Sequence, residues 1–477
     1  MKKIIFSIST ILISLTALAQ ETLTLQQCRD LALENNKEIK AAHEQTKGAE
    51  YTVKSYKALY KPNIKLGATG LYSTAGGSFS YDLTGIGNAV NSVMGNVANT
   101  IQGLALIIGS EHPQYYEAIM NQLGAGASPL ELPNEIKIDY KVGPVAIANI
   151  TLEQPIYMGG KIKAANKMAQ SGLQMAQTNN TLVKQNVIVE VDNAYALCVK
   201  ANEMLKVALR YNEVLQELMN NVQSAYKNGL KPKNDVLKVI VKLNESELNI
   251  RKAENAKRLA SMNLCRIIGK PLMSPIAVSS EFPSVEDIEV NNTTDISMRP
   301  EYKILEQQVN IAEQQVNLDK SASRPEVGLM AMGGYTYGGE LNDTRLLDDF
   351  SGTVLVNVSI PLFHFGENSN KIRAAKAKLE QARYERESKN ELMQLQLTQA
   401  ANNLEEAKLE AELADKNLEQ AAENMRLSLK NYQAEMEPLS DYLEAQTLWQ
   451  QAYEQQVDAY FKLYLSKVEY KKVSGVL

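Results

Sequence analysis

The stretch YKNGLKPKNDVL, residues 226–237, returns 206 residues later as YQAEMEPLSDYL, residues 432–443. Both copies carry Tyr, then Pro six residues on, Asp three residues after the Pro, and Leu two after the Asp. The first copy is rich in Lys and the second in Glu. Because Pro suits the first turn of a helix, each copy predicts a turn followed by a returning helix.

Matches at the same offset continue on both sides of these turns, for example Gly160 with Gly366. Further upstream the offset becomes 263, where Pro62 matches Pro325, so the first copy carries 57 additional residues. Such self-similarity is the signature of a repeated structural unit. We predict an internal duplication, with a long loop at residues 74–143 inserted in the first repeat.

Each repeat contains one very long helical segment. Apolar residues recur at steps of three and four over residues 191–226 and 393–432, interrupted by Asn212 and Ser428. More than five heptads of this pattern indicate a coiled coil. Residues 161–226 contain no Pro and one Gly, so this helix would be about 100 Å long at 1.5 Å per residue.

Four segments with alternating apolar residues predict β-strands of about ten residues, a length that suits an outer-membrane strand. An ordinary soluble hairpin in each half is the alternative. Four strands cannot close a membrane barrel, which needs about eight, and an open edge in lipid leaves backbone groups unpaired. Three chains would supply twelve strands. The predicted strands are residues 62–73, 144–156, 325–337 and 351–362.

The first 19 residues read as a signal peptide. Lys2 and Lys3 precede an apolar run, and a small-x-small motif ends at Ala19. Ser and Thr interrupt this run, which is also short for a membrane anchor. Cys28 lies nine residues beyond the cleavage position, so lipid attachment there is not predicted. Three cysteines are too few for a disulfide framework, and we expect buried thiols.

Composition excludes several functions. The formal net charge is -5, with 50 basic and 55 acidic residues, and basic residues form no tract, so a nucleic-acid partner is not expected. The three histidines show no metal-ligand spacing. No phosphate-binding glycine loop, nucleophile elbow or HExxH motif is present. We therefore predict no enzyme activity, no metal site and no cofactor.

The sequence combines the duplication, the helices of about 65 residues, the Tyr…Pro…Asp turns, and paired strands that end in QPIYMGG (154–160) and IPLFHFG (360–366). In this combination it resembles the outer-membrane efflux family, the TolC-like proteins. The stretch LTLQQCRDLALENNKEI (23–39) is similar to the usual mature start of that family. The resemblance covers essentially the whole mature chain except the inserted loop.

The resemblance implies a mainly α protein with a β part: a homotrimer with a twelve-stranded barrel in outer-membrane lipid and a long α-helical tunnel in the periplasm. It would be the passive exit duct of a tripartite efflux pump for small molecules, or of a type I protein secretion system. A periplasmic adaptor and an inner-membrane transporter would be its partners. A periplasmic coiled-coil adaptor or structural protein without a pore is an alternative. The predicted tunnel segments are residues 20–61, 157–324 and 363–477, in repeats at about 25–270 and 295–477.

The resemblance also implies a gate at the periplasmic end of the tunnel. Tyr432, Asp441 and Glu444 stand where the second hairpin of the family has its gate Tyr and two acidic residues. Glu444 departs from the usual Asp. Asp235 occupies the matching position of Asp441 in the first repeat. Asp441 would form an inward acidic ring that favours cations.

The opposite charges of the two turns suggest how the gate is held shut. Lys231 and Lys233 on one hairpin would face Glu435 and Glu437 on its neighbour. An exposed pair contributes only about 0–1 kcal/mol, but threefold symmetry repeats every contact. The alternative is that these are solvated turn charges.

Overall fold

A computed structural model describes residues 21–82, 100, 135–279, 281–283, 295–341 and 344–477. The predicted signal peptide and most of the predicted loop at residues 74–143 lie outside the described residues. The elements are β1 (Glu21–Leu23), α1 (Leu25–Asn35), α2 (Lys37–Ala58), β2 (Asn63–Asp82), β3 (Glu135–Met158), α3 (Lys161–Lys227), α4 (Lys233–Ile268), β4 (Ile276–Val278), α5 (Pro300–Ser321), β5 (Glu326–Leu341), β6 (Thr344–Ser359), α6 (Glu367–Gln433) and α7 (Leu439–Val473).

The two predicted long helices are confirmed. Helices α3 and α6 have 67 residues each, and their return helices α4 and α7 have 36 and 35. Pro232 and Pro438 immediately precede the return helices in extended conformation, as expected for a residue with fixed φ and no N–H group. Along both seams the apolar positions are mostly buried, which is the basis of the coiled-coil pattern.

The sequence also predicts a helical stretch at about residues 25–60, and this prediction is wrong in one respect, because the structure divides the helix. Helix α1 ends at Asn35 and α2 begins at Lys37, with Asn36 in extended conformation between them. The Asn36 side chain is buried and donates to the carbonyl of Ile267 at 3.2 Å. Its Oδ1 also accepts a hydrogen bond from the Glu38 N–H at 2.8 Å, and a local hydrogen bond of this kind competes with the continuous helix.

Strands β2, β3, β5 and β6 form one antiparallel sheet in that order. Asn63 lies opposite Glu153 in the first hairpin, and Glu326 lies opposite Ser359 in the second. The sheet order leaves β2 and β6 as the two outer strands.

The predicted strand ends are wrong. Strand β2 continues to Asp82 and β3 begins at Glu135, so parts of the predicted loop are strand, because backbone pairing continues after the apolar alternation stops. Strand β6 begins at Thr344 and ends at Ser359 rather than at residue 362. It ends there because its partner β5 begins opposite Ser359.

A two-stranded parallel pair, β1 with β4, was not predicted from the sequence. Glu21 pairs with Ile276 and Leu23 with Val278. Three-residue strands are too short to show an alternating pattern. This pair attaches the segment before α1 to the segment after α4.

The chain divides into two compact units, which we call the helical unit and the strand unit. The helical unit comprises the described residues of 1–48, 173–308 and 383–477, and the strand unit those of 49–172 and 309–382. In the strand unit, Val309 and Val316 of α5 pack against Ala375 and Leu379 of α6. The helical unit has several apolar clusters, the largest around Tyr195, Leu264 and Ile268.

The helical unit also contains a buried ion pair. Arg29 donates from Nε to Asp192 Oδ1 at 2.7 Å and from Nη2 to Oδ2 at 2.5 Å, and Asp192 is fully buried. Burial raises the pKa of Asp192, and the Arg29 guanidinium opposes that rise. Loss of Arg29 would leave Asp192 as an uncompensated buried group.

Cys28, Cys198 and Cys265 are buried and belong to no disulfide, as predicted. All three belong to the largest apolar cluster of the helical unit. Burial raises the pKa of the Cys198 thiol to about 12 and also raises the pKa of the Cys265 thiol, so these two thiols remain protonated at neutral pH. They act as small apolar core residues.

Of the helices in the described ranges, none has a stretch long and apolar enough to pass through a membrane.

Candidate functional site

The two hairpin turns form the candidate site, and they have the same backbone. Leu230 N–H donates to the carbonyl of Ala225 at 2.9 Å, and Met436 N–H donates to that of Asn431 at 2.8 Å. Gly229 has a φ of +76° in the first turn and Glu435 a φ of +60° in the second. The left-handed conformation is typical after a helix and favours glycine, so the second turn is strained at Glu435.

Tyr432 is the centre of the second turn. Its ring stacks on that of Tyr442, with ring centroids 5.8 Å apart and an angle of 8° between the planes. Lys231 of the first hairpin also lies over the Tyr432 ring, with Nζ 5.2 Å from the ring centroid. Burial raises the pKa of Tyr432, and the nearby Asp235 carboxylate raises it further. One aromatic side chain thus connects both hairpins.

Glu437 is held by its own hairpin. Its carboxylate accepts hydrogen bonds from Ser428 Oγ at 2.6 Å and from Asn431 Nδ2 at 2.8 Å. These two hydrogen bonds lower the pKa of Glu437, because they favour the charged form. Ser428 is one of the two polar interruptions of the helical seam, and the structure shows its partner.

The other interruption of the seam has a partner as well. Asn212 is buried and its Nδ2 donates to Ser246 Oγ at 2.6 Å, while Gln216 Nε2 donates to Asn212 Oδ1 at 2.7 Å. This contact joins α3 to its return helix α4. Buried polar groups without such partners would be costly.

The acidic residues predicted at the gate lie in the first turns of the return helices or just beyond. Asp235 of α4 is half-buried, with Oδ1 3.9 Å from Lys238 Nζ. Asp441 of α7 is exposed and accepts a hydrogen bond from Ser440 Oγ at 3.0 Å. Glu444 is exposed one turn later. Carboxylates near a helix N-terminus are favoured by the helix dipole.

Within one chain, the described residues contain no ion pair of Lys231 or Lys233 with Glu435 or Glu437. Lys231 lies over an aromatic ring instead, and Glu437 is bound to neutral donors of its own hairpin. Lys233 and Glu435 are exposed. Pairing of these charges between chains stays a prediction.

An apolar cluster lies among the helices that carry the turns. It brings residues of all four helices of the two hairpins together in the helical unit, so the position of each turn depends on the other hairpin. Its buried members are Tyr211, Leu215, Leu218, Val222, Val239, Leu439, Tyr442 and Leu443. Sequence reasoning identified Tyr432 but missed Tyr442, although an aromatic residue one position after Asp441 was a visible signal.

A groove of about 680 Å³ lies between α3, α6 and α7. Trp449 and Tyr453 line one side, with their rings 5.9 Å apart in edge-to-face contact. Arg210, Asp415 and Glu419 add charged groups to the lining. Among all the described residues, no group of three His, Cys, Asp or Glu residues is arranged to hold a metal ion.

The sequence matches a family model and a known relative. The sequence model of the family described as outer membrane efflux protein matches residues 145–270 and 296–474. The alkaline protease secretion protein AprF of Pseudomonas aeruginosa is 22% identical over 251 residues, which are 51% of this chain and 51% of AprF. The chain thus spans about half the length of this relative.

Solved structures with the same fold cover nearly the whole chain. The outer membrane protein VceC from Vibrio cholerae gives a TM-score of 0.72 at 15% identity, over 94% of this chain and 96% of VceC. The CmeC outer membrane channel of Campylobacter jejuni gives 0.74 at 17% identity, over 94% of this chain and 85% of CmeC. At these identities the likeness is one of fold.

Proposed function

Because the chain belongs to the outer membrane efflux protein family, we propose that it is the passive outer-membrane duct of a tripartite efflux pump. Membership makes it an outer-membrane protein that extends into the periplasm. In this function three copies form a continuous channel, and small molecules leave the cell through it. The energy for export comes from a transporter in the inner membrane.

The observation that carries the proposal is a four-stranded sheet whose strands lead directly into helices of 67 residues. Strands β2 and β6 are outer strands of this sheet, and in lipid their free backbone groups would need partners. The strands have 16 to 24 residues, more than the roughly 9–11 residues that cross a bilayer. Three copies would place twelve strands in one closed barrel.

We assign the parts of the chain on this basis. The membrane-crossing parts of the strands lie within the predicted segments 62–73, 144–156, 325–337 and 351–362, in which residues 63–73, 144–156, 326–337 and 351–359 are strand. Residues 74–143 are the extracellular insertion, whose described ends continue the strands. The tunnel segments are residues 20–61, 157–324 and 363–477. The matching helix lengths and the matching strand registers support an origin of the two repeats by duplication.

The hairpin turns form the periplasmic gate. Lys231, Tyr432 and Tyr442 hold the two hairpins of one chain together. Between chains, Lys231 and Lys233 of one copy approach Glu435 and Glu437 of the next and help keep the gate closed.

Acidic groups line the constriction of this gate. Asp441, Glu444 and Asp235 place three carboxylates per copy at the hairpin ends, so the closed constriction attracts cations. Neutralising Asp441 would reduce the preference of the channel for cations, which reversal potentials in a salt gradient measure. An unchanged reversal potential would show that Asp441 does not line the constriction.

The partners in this proposal are a periplasmic adaptor and an inner-membrane transporter. The groove beside Trp449 is lined by aromatic residues and Arg210, which are residue types enriched at protein interfaces. Opening requires a partner that binds the open state more tightly than the closed state.

The proposal is tested on protein extracted from outer membranes with mild detergent. We expect a trimer that dissociates on heating in SDS and forms cation-selective channels in planar bilayers. A strain without the gene should accumulate pump substrates. A monomer without channel activity would refute the proposal and favour a periplasmic adaptor or structural protein.

A type I secretion duct is the second candidate, and the similarity to the secretion protein AprF favours it. The two candidates differ in cargo and in the transporter that co-purifies with the trimer. Loss of a secreted protein from the medium of a deletion strain, with unchanged drug susceptibility, would support secretion. Increased drug susceptibility with an unchanged set of secreted proteins would support efflux.

A further inference from the structure

The turn between β6 and α6 exposes large apolar side chains. Leu362 and Phe365 are each 92% exposed and Phe363 is 71% exposed. The rings of Phe363 and Phe365 touch edge to face at 4.7 Å. Phe365 has a φ of +46°, which glycine adopts easily and a bulky residue rarely does. A strained, exposed aromatic residue suggests that the ring itself has a role.

The corresponding turn of the first repeat shows what lies next to such a residue. Gly159 precedes Phe365 by 206 residues and has a φ of +60°. Its carbonyl accepts a hydrogen bond from Arg324 Nη1 at 3.2 Å. A Cβ atom at Gly159 would lie 2.6 Å from the Ser321 carbonyl oxygen and 3.0 Å from Arg324 Cβ. Only glycine fits against the end of α5 here.

This contact follows from strand pairing. Strand β3 pairs with β5, with Tyr157 opposite Val327 and Met158 opposite Glu326, which brings the turn after β3 to the residues before β5. Through the repeat offsets, the positions of β3 correspond to those of β6 and the positions of β5 to those of β2. The corresponding strand pair is therefore β6 with β2, with Phe363 opposite Ile64. Within one chain β6 and β2 are the two outer strands, so the corresponding contact requires a second copy.

The two versions of the junction differ in size on both sides. Beside Gly159, the end of α5 continues into the small residues Ala322 and Ser323. At the corresponding places after α2 the chain has Leu59 and Tyr60, which are 47% and 52% exposed. At Gly159, Ala322 and Ser323 the junction within the chain is therefore small, whereas Phe365, Leu59 and Tyr60 would make the corresponding places between copies large and apolar.

We propose that Phe363 and Phe365 pack against Leu59 and Tyr60 of the next copy and form an aromatic contact at each junction between copies. The partner is a second copy of this chain, so the inference rests on the trimer of the proposed function. Lys61 stands at the place of Arg324, and in the next copy it would donate to the carbonyl of Phe365.

A cysteine pair tests the contact in full-length protein in isolated outer membranes. Because Cβ atoms at the first-repeat positions would be 3.0 Å apart, Phe365→Cys with Lys61→Cys reaches the roughly 3.5–4.5 Å of a disulfide after a small adjustment. Oxidation with copper phenanthroline should give covalent trimers, and a reducing agent should convert them back to single chains. The control pair, Phe365→Cys with Ala75→Cys, lies about 40 Å apart along the strand and should not cross-link.

The outcomes separate the contact from the assembly. A heat-dissociable trimer without a Phe365–Lys61 cross-link would overturn the inference and leave the proposed function standing. Absence of a trimer in the wild type would refute the proposed function. Benzoylphenylalanine at position 365 should cross-link to a second copy, and cross-linking to lipid alone would overturn the contact.

A stability measurement gives a second test. Phe365→Gly removes the ring and relaxes the backbone, so it should not impair folding of the single chain. We expect a lower temperature of trimer dissociation in SDS. A dissociation temperature equal to that of the wild type would overturn the role of the ring.

Discussion

Replacing Tyr432 with Ala should open the closed channel. The substitution removes the stack on Tyr442 and the contact with Lys231. An aromatic pair contributes about 0.5–1.5 kcal/mol beyond its buried area, and an exposed cation–π contact about 0.5–1 kcal/mol. The loss is about 1–2.5 kcal/mol per chain. At tenfold per about 1.4 kcal/mol, the closed state is disfavoured by about 5- to 60-fold per chain.

Single-channel conductance in planar bilayers measures this change. Tyr432→Ala should raise the open fraction, and Tyr432→Phe, which keeps the ring, should resemble the wild type. Tyr226→Ala is the matched control, because Tyr226 occupies the same position in the first hairpin and has no ring contact among the described residues. It should leave the open fraction unchanged.

One result would refute this reasoning. If Tyr432→Ala forms trimers with the heat stability of the wild type and has the same open fraction, the stack does not hold the gate. Equal opening by Tyr226→Ala would also refute it, because the effect would then not depend on the contact between hairpins.

Three further predictions concern polar groups of the helical unit. The hydrogen bonds that lower the pKa of Glu437 stabilise its hairpin when the pH is above the ordinary carboxyl pKa of about 4.5. This stabilisation is lost as the pH falls below that value. In Glu437→Gln, acid should no longer change the open fraction of the channel through this group. Asn212→Ala removes one hydrogen bond of the Ser246 hydroxyl, which still donates to the Leu243 carbonyl at 2.8 Å, and should reduce the free energy of unfolding by about 1 kcal/mol in a denaturant titration. Arg29→Met leaves Asp192 buried and unpaired and should cost about 3–5 kcal/mol, while adding Asp192→Leu should restore much of it; equal stability of the single variant and the wild type would contradict this.

Most of the helical architecture could be predicted from the sequence. The predicted helix at residues 161–226 ends at Lys227 in the structure, and the predicted return helices begin one residue after Pro232 and Pro438. These features depend on apolar periodicity and on proline, which act within a few residues of the chain. The break at Asn36 was missed because one of the two hydrogen bonds that hold its side chain goes to a carbonyl more than two hundred residues away.

The candidate gate was predicted only in part. The turns, Tyr432 and the acidic residues followed from the repeat and the family resemblance. The contact of Lys231 with the Tyr432 ring within one chain was not predicted, because the pattern of charges pointed only to acidic partners. Glu437 likewise binds Ser428 and Asn431, which are close to it in sequence and satisfy its carboxylate without a cation.

The sequence by itself determined the lengths of the helices, the positions of the turns and the presence of four strands, since each depends on local periodicity and on the preferences of single residues. Only the tertiary structure decided which side chains meet: Lys231 with Tyr432, Asn212 with Ser246, and Arg29 with Asp192. These contacts join distant parts of the chain. Their geometry depends on how whole helices pack, and no local pattern of residues specifies it.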